Sequence, residues 1–161
     1  MIELMVSDNE GQYQLASPEM ILAAARQLQE CRWVPERIQF NKSQLAKDFF
    51  SMQLVDRDVE VFEALFLDCR HKLIAYEELS HGTINQATIF PRKIVRATLR
   101  HNAAAVIFAH NHPSGDVGAS KADINITERL INALELIECR VLDHIIIGHQ
   151  PALSFSESGL L

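Results

Sequence analysis

The chain has 161 residues, 48% of them hydrophobic and 22% charged, enough for one domain with a real core. It has no run of about 18 apolar residues, which excludes a helical membrane span, and no basic-then-apolar opening of the signal-peptide kind. The net charge of −6 argues against a surface built to grip phosphate backbones all round.

Residues 1–16 are polar and lack periodicity, so they read as a loose arm. Ser17-Pro18 opens a helix, Ser as cap and Pro in the first turn, running to about Cys31 and ended by Trp33-Val34-Pro35. Residues 1–40 therefore form an N-terminal arm and helix, and residues 41–161 the main domain. Ser43 starts a second helix with Leu45, Ala46, Phe49, Phe50 and Met52 on its apolar face. After a charged turn, residues 59–67 and 72–79 make a hairpin around Asp68-Cys69-Arg70-His71. Residues 84–90 offer a further strand, and Pro91 opens a helix to His101. A buried strand over 103–109 follows, then a helix from Ser120 to about 138. A strand over 141–147 is closed by Gly148, and residues 152–156 suit an edge strand. Strands alternating with helices give an α/β (α+β) sandwich around a mixed sheet. Cys31, Cys69 and Cys139 are odd in number and lack a Cys-x-x-Cys, pointing to reduced thiols in a cytoplasmic setting.

The chemistry concentrates at residues 110–123. The apolar strand ends at His110, and His112 points the same way if the extended geometry persists. Pro113 and Gly115 force a turn. Ser120 caps the next helix and Asp123 is its third residue, leaning back toward the two imidazoles. Two imidazoles and a carboxylate suit zinc, whose catalytic sites use three protein ligands. Each piece also has a plainer reading. His-x-His is common at surfaces, and Ser-x-x-Asp by itself spells a capping box.

His-x-His, seven residues, Ser, two residues, Asp resembles the JAMM (MPN-domain) metalloprotease pattern without a gap. The wording His110-Asn111-His112-Pro113-Ser114-Gly115-Asp116 is similar to the RadC family in particular. So are Gly82-Thr83, Pro91-Arg92, Asn102-Ala103-Ala104 and Asp143-His144-Ile145-Ile146-Ile147-Gly148. The resemblance covers about residues 40–161. It implies a mixed sheet flanked by helices, in a layout related to the cytidine deaminases. It also implies one zinc ion on His110, His112 and Asp123, and a glutamate earlier in the chain.

In that pattern the glutamate stands two residues before a Phe, ahead of an apolar strand ending in Asp. Glu60, Phe62, Ala64-Leu65-Phe66-Leu67 and Asp68 match it, so Glu60 is the expected general base, ahead of Glu77 and Glu78. Glu63, three residues on, should face the other side of the strand. By the same resemblance the Ser120 hydroxyl stabilises an oxyanion, or else it caps the helix. The implied activity is hydrolysis of a peptide or isopeptide bond in a peptide or protein substrate. Longer RadC members carry a helix-hairpin-helix segment, and residues 1–40 hold no matching glycine-containing hairpin, so the chain resembles a short form.

The rival reading is a metal-stabilised, non-enzymatic module acting as a protein-interaction or DNA-repair-associated factor. An HNH nuclease is rejected, because its three letters stand on separate elements. A zinc deaminase needs His-x-Glu and a Cys pair, and residue 112 is His. Arg92, Arg96 and Arg100 form one stripe on a predicted helix, read first as a solvated face. Weak, salt-sensitive nucleic-acid binding is the most such a stripe supports. His71, His81, His101, His144 and His149 fall outside the ligand spacing and read as ordinary histidines, with His144 a possible neighbour of a ligand.

Overall fold

A computed structural model describes residues 5–7, 13–21, 37–54, 57–82 and 89–161. The chain divides into two units, Met1–Glu36 and Arg37–Leu161.

In the first unit, β1 (Met5–Ser7) pairs antiparallel with β2 (Tyr13–Leu15). The loose arm expected over residues 1–16 is thereby corrected. Each strand has only three residues, too few for a two-residue alternation to show in a window. Ser17 opens a helical turn as expected, its Oγ accepting from the Met20 N–H at 3.3 Å and its carbonyl from the Ile21 N–H at 3.0 Å. The expected continuation to Cys31 and the stop at Trp33-Val34-Pro35 lie outside the described residues, as does most of the strand expected over 84–90.

The second unit is a five-stranded sheet between two helical layers. Its elements are α1 (Ser43–Leu54), β3 (Val61–Leu67), β4 (Leu73–His81), α2 (Pro91–His101), β5 (Ala105–Asn111), α3 (Lys121–Glu135), β6 (Arg140–Ile147), β7 (Leu153–Ser154) and α4 (Phe155–Ser158). The strand order is β4-β3-β5-β6-β7, and only β5 and β6 run parallel. A parallel neighbour needs a crossover, and α3 supplies it.

Strands β3 and β5 are buried at every position, which is why both read as mainly apolar runs, interrupted by Glu63 in β3 and closed by His110 and Asn111 in β5. Val61, Leu65, Leu67, Ile107 and Ala109 point to one face and pack under Ala46, Phe50 and Leu54 of α1. Phe62, Ala64, Phe66, Val106 and Phe108 point to the other, under Ile94 and Ala97 of α2 and Leu130 and Leu134 of α3.

The C-terminal end is tied down by Asp143 in β6. Its buried carboxylate accepts from Ser154 Oγ at 2.6 Å, Ser43 Oγ at 3.2 Å, the Ser156 N–H at 3.0 Å and the His144 N–H at 2.8 Å. The edge strand expected over 152–156 is correspondingly cut to two residues. Ser154 accepts from the Glu157 N–H and starts α4, so the backbone turns helical at Phe155. Ser-x-x-Glu at 154–157 is the sequence signal for that cap. Among the described residues, no helix is long and apolar enough to cross a membrane.

Candidate metal centre

His110 is the penultimate residue of β5, opposite Phe62 of β3 and beside Ile146 of β6. His112 continues the extended path, its N–H donating to the Ile147 carbonyl at 2.9 Å, so both imidazoles leave the sheet on the α3 side. The chain then turns sharply. Gly115 has φ +81°, and the His149 ring stands 2.3 Å from where its Cβ would be. Gly148 meets the same loop, with the Gly115 carbonyl oxygen 2.5 Å from a Cβ built there. Side chains at either position would push the loop off the end of β6.

Ser120 caps α3 in a reciprocal box. Its Oγ accepts from the Asp123 N–H at 3.1 Å, and Asp123 Oδ2 accepts from the Ser120 N–H at 2.8 Å. The box and a metal centre are therefore not competing explanations. The cap turns the Asp123 carboxylate back over the loop, where it meets the histidines. In this bond the Ser120 oxygen is the acceptor.

The ligand atoms of His110, His112 and Asp123 all lie within 4.8 Å of one another. His110 Nε2 is 2.9 Å from His112 Nε2 and 3.4 Å from Asp123 Oδ1, and His112 Nε2 is 3.6 Å from Asp123 Oδ2. Ligands about 2.0–2.1 Å from a tetrahedral ion stand roughly 3.3 Å apart, so the trio has the size of one face of a zinc tetrahedron. His112 Nδ1 faces the Asp116 carbonyl at 2.8 Å, and a carbonyl only accepts, so Nδ1 carries the proton and Nε2 offers a lone pair in the neutral ring.

Burial opposes ionisation of Asp123, but hydrogen bonds from His110, His112 and Ser120 outweigh it and hold the carboxyl well below the usual carboxylate range. The Asp123 carboxylate in turn raises His112 above the ordinary imidazole value against its burial. A metal must displace that proton, so its binding should weaken in acid. His144, fully buried, is held well below the ordinary value by desolvation, with His110 adding to the effect.

The four upstream glutamates part company. Glu60 lies just before β3. Extending the antiparallel register two residues beyond its last pair, Phe62↔His110, would set it level with His112, and its charge is among those that raise His112. Glu63 faces the other side of β3, fully buried, and accepts from the Tyr76 O–H at 2.5 Å, while burial raises its carboxyl. Glu77 pairs with Arg100 and His101 at the end of α2, and Glu78 with Arg57 at 2.7 Å and His81 at 2.8 Å.

Three residues of the centre were not singled out by spacing. Asn111 points away from the two histidines and clamps the segment that carries Glu60. Its Oδ1 accepts from the Val61 N–H at 2.8 Å, and its Nδ2 donates to the carbonyls of Val59 at 2.9 Å and Arg57 at 3.2 Å. Thr127 and His144 lie behind His110. His144 Nε2 is 2.9 Å from His110 Nδ1, and its Nδ1 is 2.6 Å from Thr127 Oγ1. The signal for each is a polar residue inside an apolar run or face, which must find a partner when buried. Asn111→Ala is expected to lower stability by about 2–4 kcal/mol, since it strands the buried Val61 N–H. Urea unfolding measures this, and a loss under about 1 kcal/mol would show that other contacts hold the segment.

The other histidines pair away from the trio or stand at its margin. His71 contacts Arg140 at 3.2 Å, and His149 covers Gly115. The arginine stripe is divided, because Arg100 turns to Glu77 while Arg92, Lys93 and Arg96 line an open depression beside Phe90.

A family model described as "RadC-like JAB domain" matches residues 40–160. A UPF0758 protein of Methylibium petroleiphilum is 48% identical over 122 residues, 76% of this chain and 55% of that protein. One from Stenotrophomonas maltophilia is 59% identical over 102 residues, 63% of this chain and 44% of that protein. Another, from Aeromonas hydrophila, is 52% identical over 118 residues, 73% of this chain and 53% of that protein. The matched stretch thus spans about half the length of these curated relatives.

Proposed function

The chain belongs to the RadC-like JAB domain family, and on that premise we propose that it is a zinc-dependent hydrolase of peptide or isopeptide bonds. The observation that carries this reading is the convergence of His110, His112 and Asp123 at the spacing of zinc ligands, with Glu60 near enough for its charge to act on His112. The donor set is two imidazoles and one ionised carboxylate, which suits zinc better than the all-oxygen shells of calcium or magnesium. Bound there, zinc would supply a Lewis acid for the scissile carbonyl and acidify water to a pKa of about 7.

In this reading Glu60 takes the proton of the attacking water and hands it to the leaving nitrogen. In the same reading the Ser120 O–H turns from the Asp123 carboxylate to donate to the oxyanion as the carbonyl becomes tetrahedral. Asn111 keeps the backbone on either side of Glu60 in place. The substrate is then a peptide or protein rather than nucleic acid, and the unpaired thiols of Cys69 and Cys139 fit a cytoplasmic setting.

The reading is tested by assaying purified, zinc-loaded protein against extended peptides and lysine-linked isopeptides. Hydrolysis that a chelator abolishes and added zinc restores is the expected result. Full zinc occupancy with no turnover of either class would overturn the peptidase and favour the non-enzymatic module.

A further inference from the structure

His110 is 2% exposed, and its Nδ1 meets no carbonyl or carboxylate among the contacts described for it; it meets another histidine. The direction of that bond decides whether His110 offers the trio a lone pair or a proton, and the direction can be derived. Thr127 Oγ1 lies 2.6 Å from the Asp123 backbone carbonyl, which only accepts. The single hydroxyl proton therefore goes to that carbonyl, the common arrangement for a helical threonine four residues on. Thr127 Oγ1 also lies 2.6 Å from His144 Nδ1, and with its proton already given it must accept there. His144 thus carries its proton on Nδ1 and presents a bare Nε2. His110 Nδ1, 2.9 Å away, must donate to it, so a neutral His110 ring has a lone pair and no proton on the Nε2 that faces His112 and Asp123.

We propose that Thr127 and His144 form a proton-ordering relay that fixes the tautomer of His110 and so presets its Nε2 as a ligand atom. The relay starts at the backbone of Asp123 and ends on the ring of His110, so two members of the trio are coupled through the core. The opposite order would send a proton from His144 Nε2 to His110 Nδ1. His110 would then carry its proton on Nε2, hydrogen-bonded to His112 or Asp123, and the trio would satisfy itself without a cation. The Thr127–Asp123 bond decides between the two. His144 is held in register by rings around it, Phe155 at 4.8 Å and Phe62 at 5.4 Å between centroids. Both residues are positioning residues, since neither reaches the trio's ligand atoms. The use of the relay rests on the metal reading of the trio; its proton order does not.

The decisive variant is Thr127→Val, which keeps the shape and removes the hydroxyl. His144 Nδ1 then faces a methyl group, and the proton is expected to move to Nε2, reversing His110. Long-range ¹H–¹⁵N correlation spectra of metal-free protein at mildly alkaline pH report both tautomers. Wild type should show His110 and His144 protonated at Nδ1, and Thr127→Val should show both at Nε2. Zinc affinity, read by competition with a chromophoric chelator, should fall about 10- to 100-fold in Thr127→Val and be retained in Thr127→Ser. A merely structural role would lower the melting temperature of Thr127→Val with tautomers and zinc affinity unchanged, and that result overturns the relay. So does a wild-type His110 protonated at Nε2. Wild-type Nδ1 tautomers in a protein without zinc affinity would support the relay and sink the metal reading.

Discussion

Glu60→Gln is expected to reduce hydrolysis by about 10²- to 10⁴-fold, the usual contribution of a general base, while zinc content and unfolding midpoint stay at wild-type values. The amide keeps the size and most of the polarity of the carboxylate but cannot accept a proton. Glu60 is only half-buried and lies outside the trio, so neither the core nor the ligand set is disturbed. Its backbone carbonyl accepts from the Gly82 N–H at 2.7 Å, and its neighbours are clamped by Asn111, so the backbone path does not depend on the side chain. Glu63→Gln is the control. That side chain is on the opposite face of β3 against Tyr76, and the rate should be unchanged. Steady-state kinetics on zinc-loaded variants, with metal analysis of the same samples, measure both. A Glu60→Gln enzyme within a few-fold of wild type would remove Glu60 from the chemistry and return the search to Glu78.

What could be read in advance followed from burial on both faces. Strands β3 and β5 are covered by helices on each side, so all their positions but Glu63, His110 and Asn111 are apolar and the segments stand out. The trio was legible because its three members belong to one continuous stretch, in which a strand exit, a turn and a capping box each leave a local mark. The relay was not legible. His144 was marked only as a neighbour of a ligand, and its partners Thr127 and His110 stand 17 and 34 residues away, as Val59 stands 52 from Asn111, pairings that exist only once β3, β5, β6 and α3 are assembled. Ser120 illustrates a different limit. Sequence set the cap against the oxyanion role as alternatives, and the geometry shows the cap, with the Ser120 oxygen accepting from the Asp123 N–H. The N-terminal hairpin was missed for the simplest reason, since three-residue strands carry no period.

The double variant His110→Ala, His112→Ala is expected to take zinc content from one per chain to background by elemental analysis. Asp123 alone remains of the trio, and a single carboxylate does not hold zinc against water and buffer. The fold should survive, because the sheet and both core clusters are built from other residues and the histidines stand at the end of β5. Some stability is lost, since His144 Nε2 is left without its donor, a deficit of about 1–3 kcal/mol for a buried acceptor. The sharper readout is linkage. Zinc at roughly 100 times its dissociation constant should stabilise the wild type by about 2.7 kcal/mol, raising its melting temperature, and should leave the double variant unmoved. A zinc-induced shift of equal size in both proteins would place the metal elsewhere in the chain. That outcome would remove the trio from the mechanism, and with it the case for Glu60 as the base.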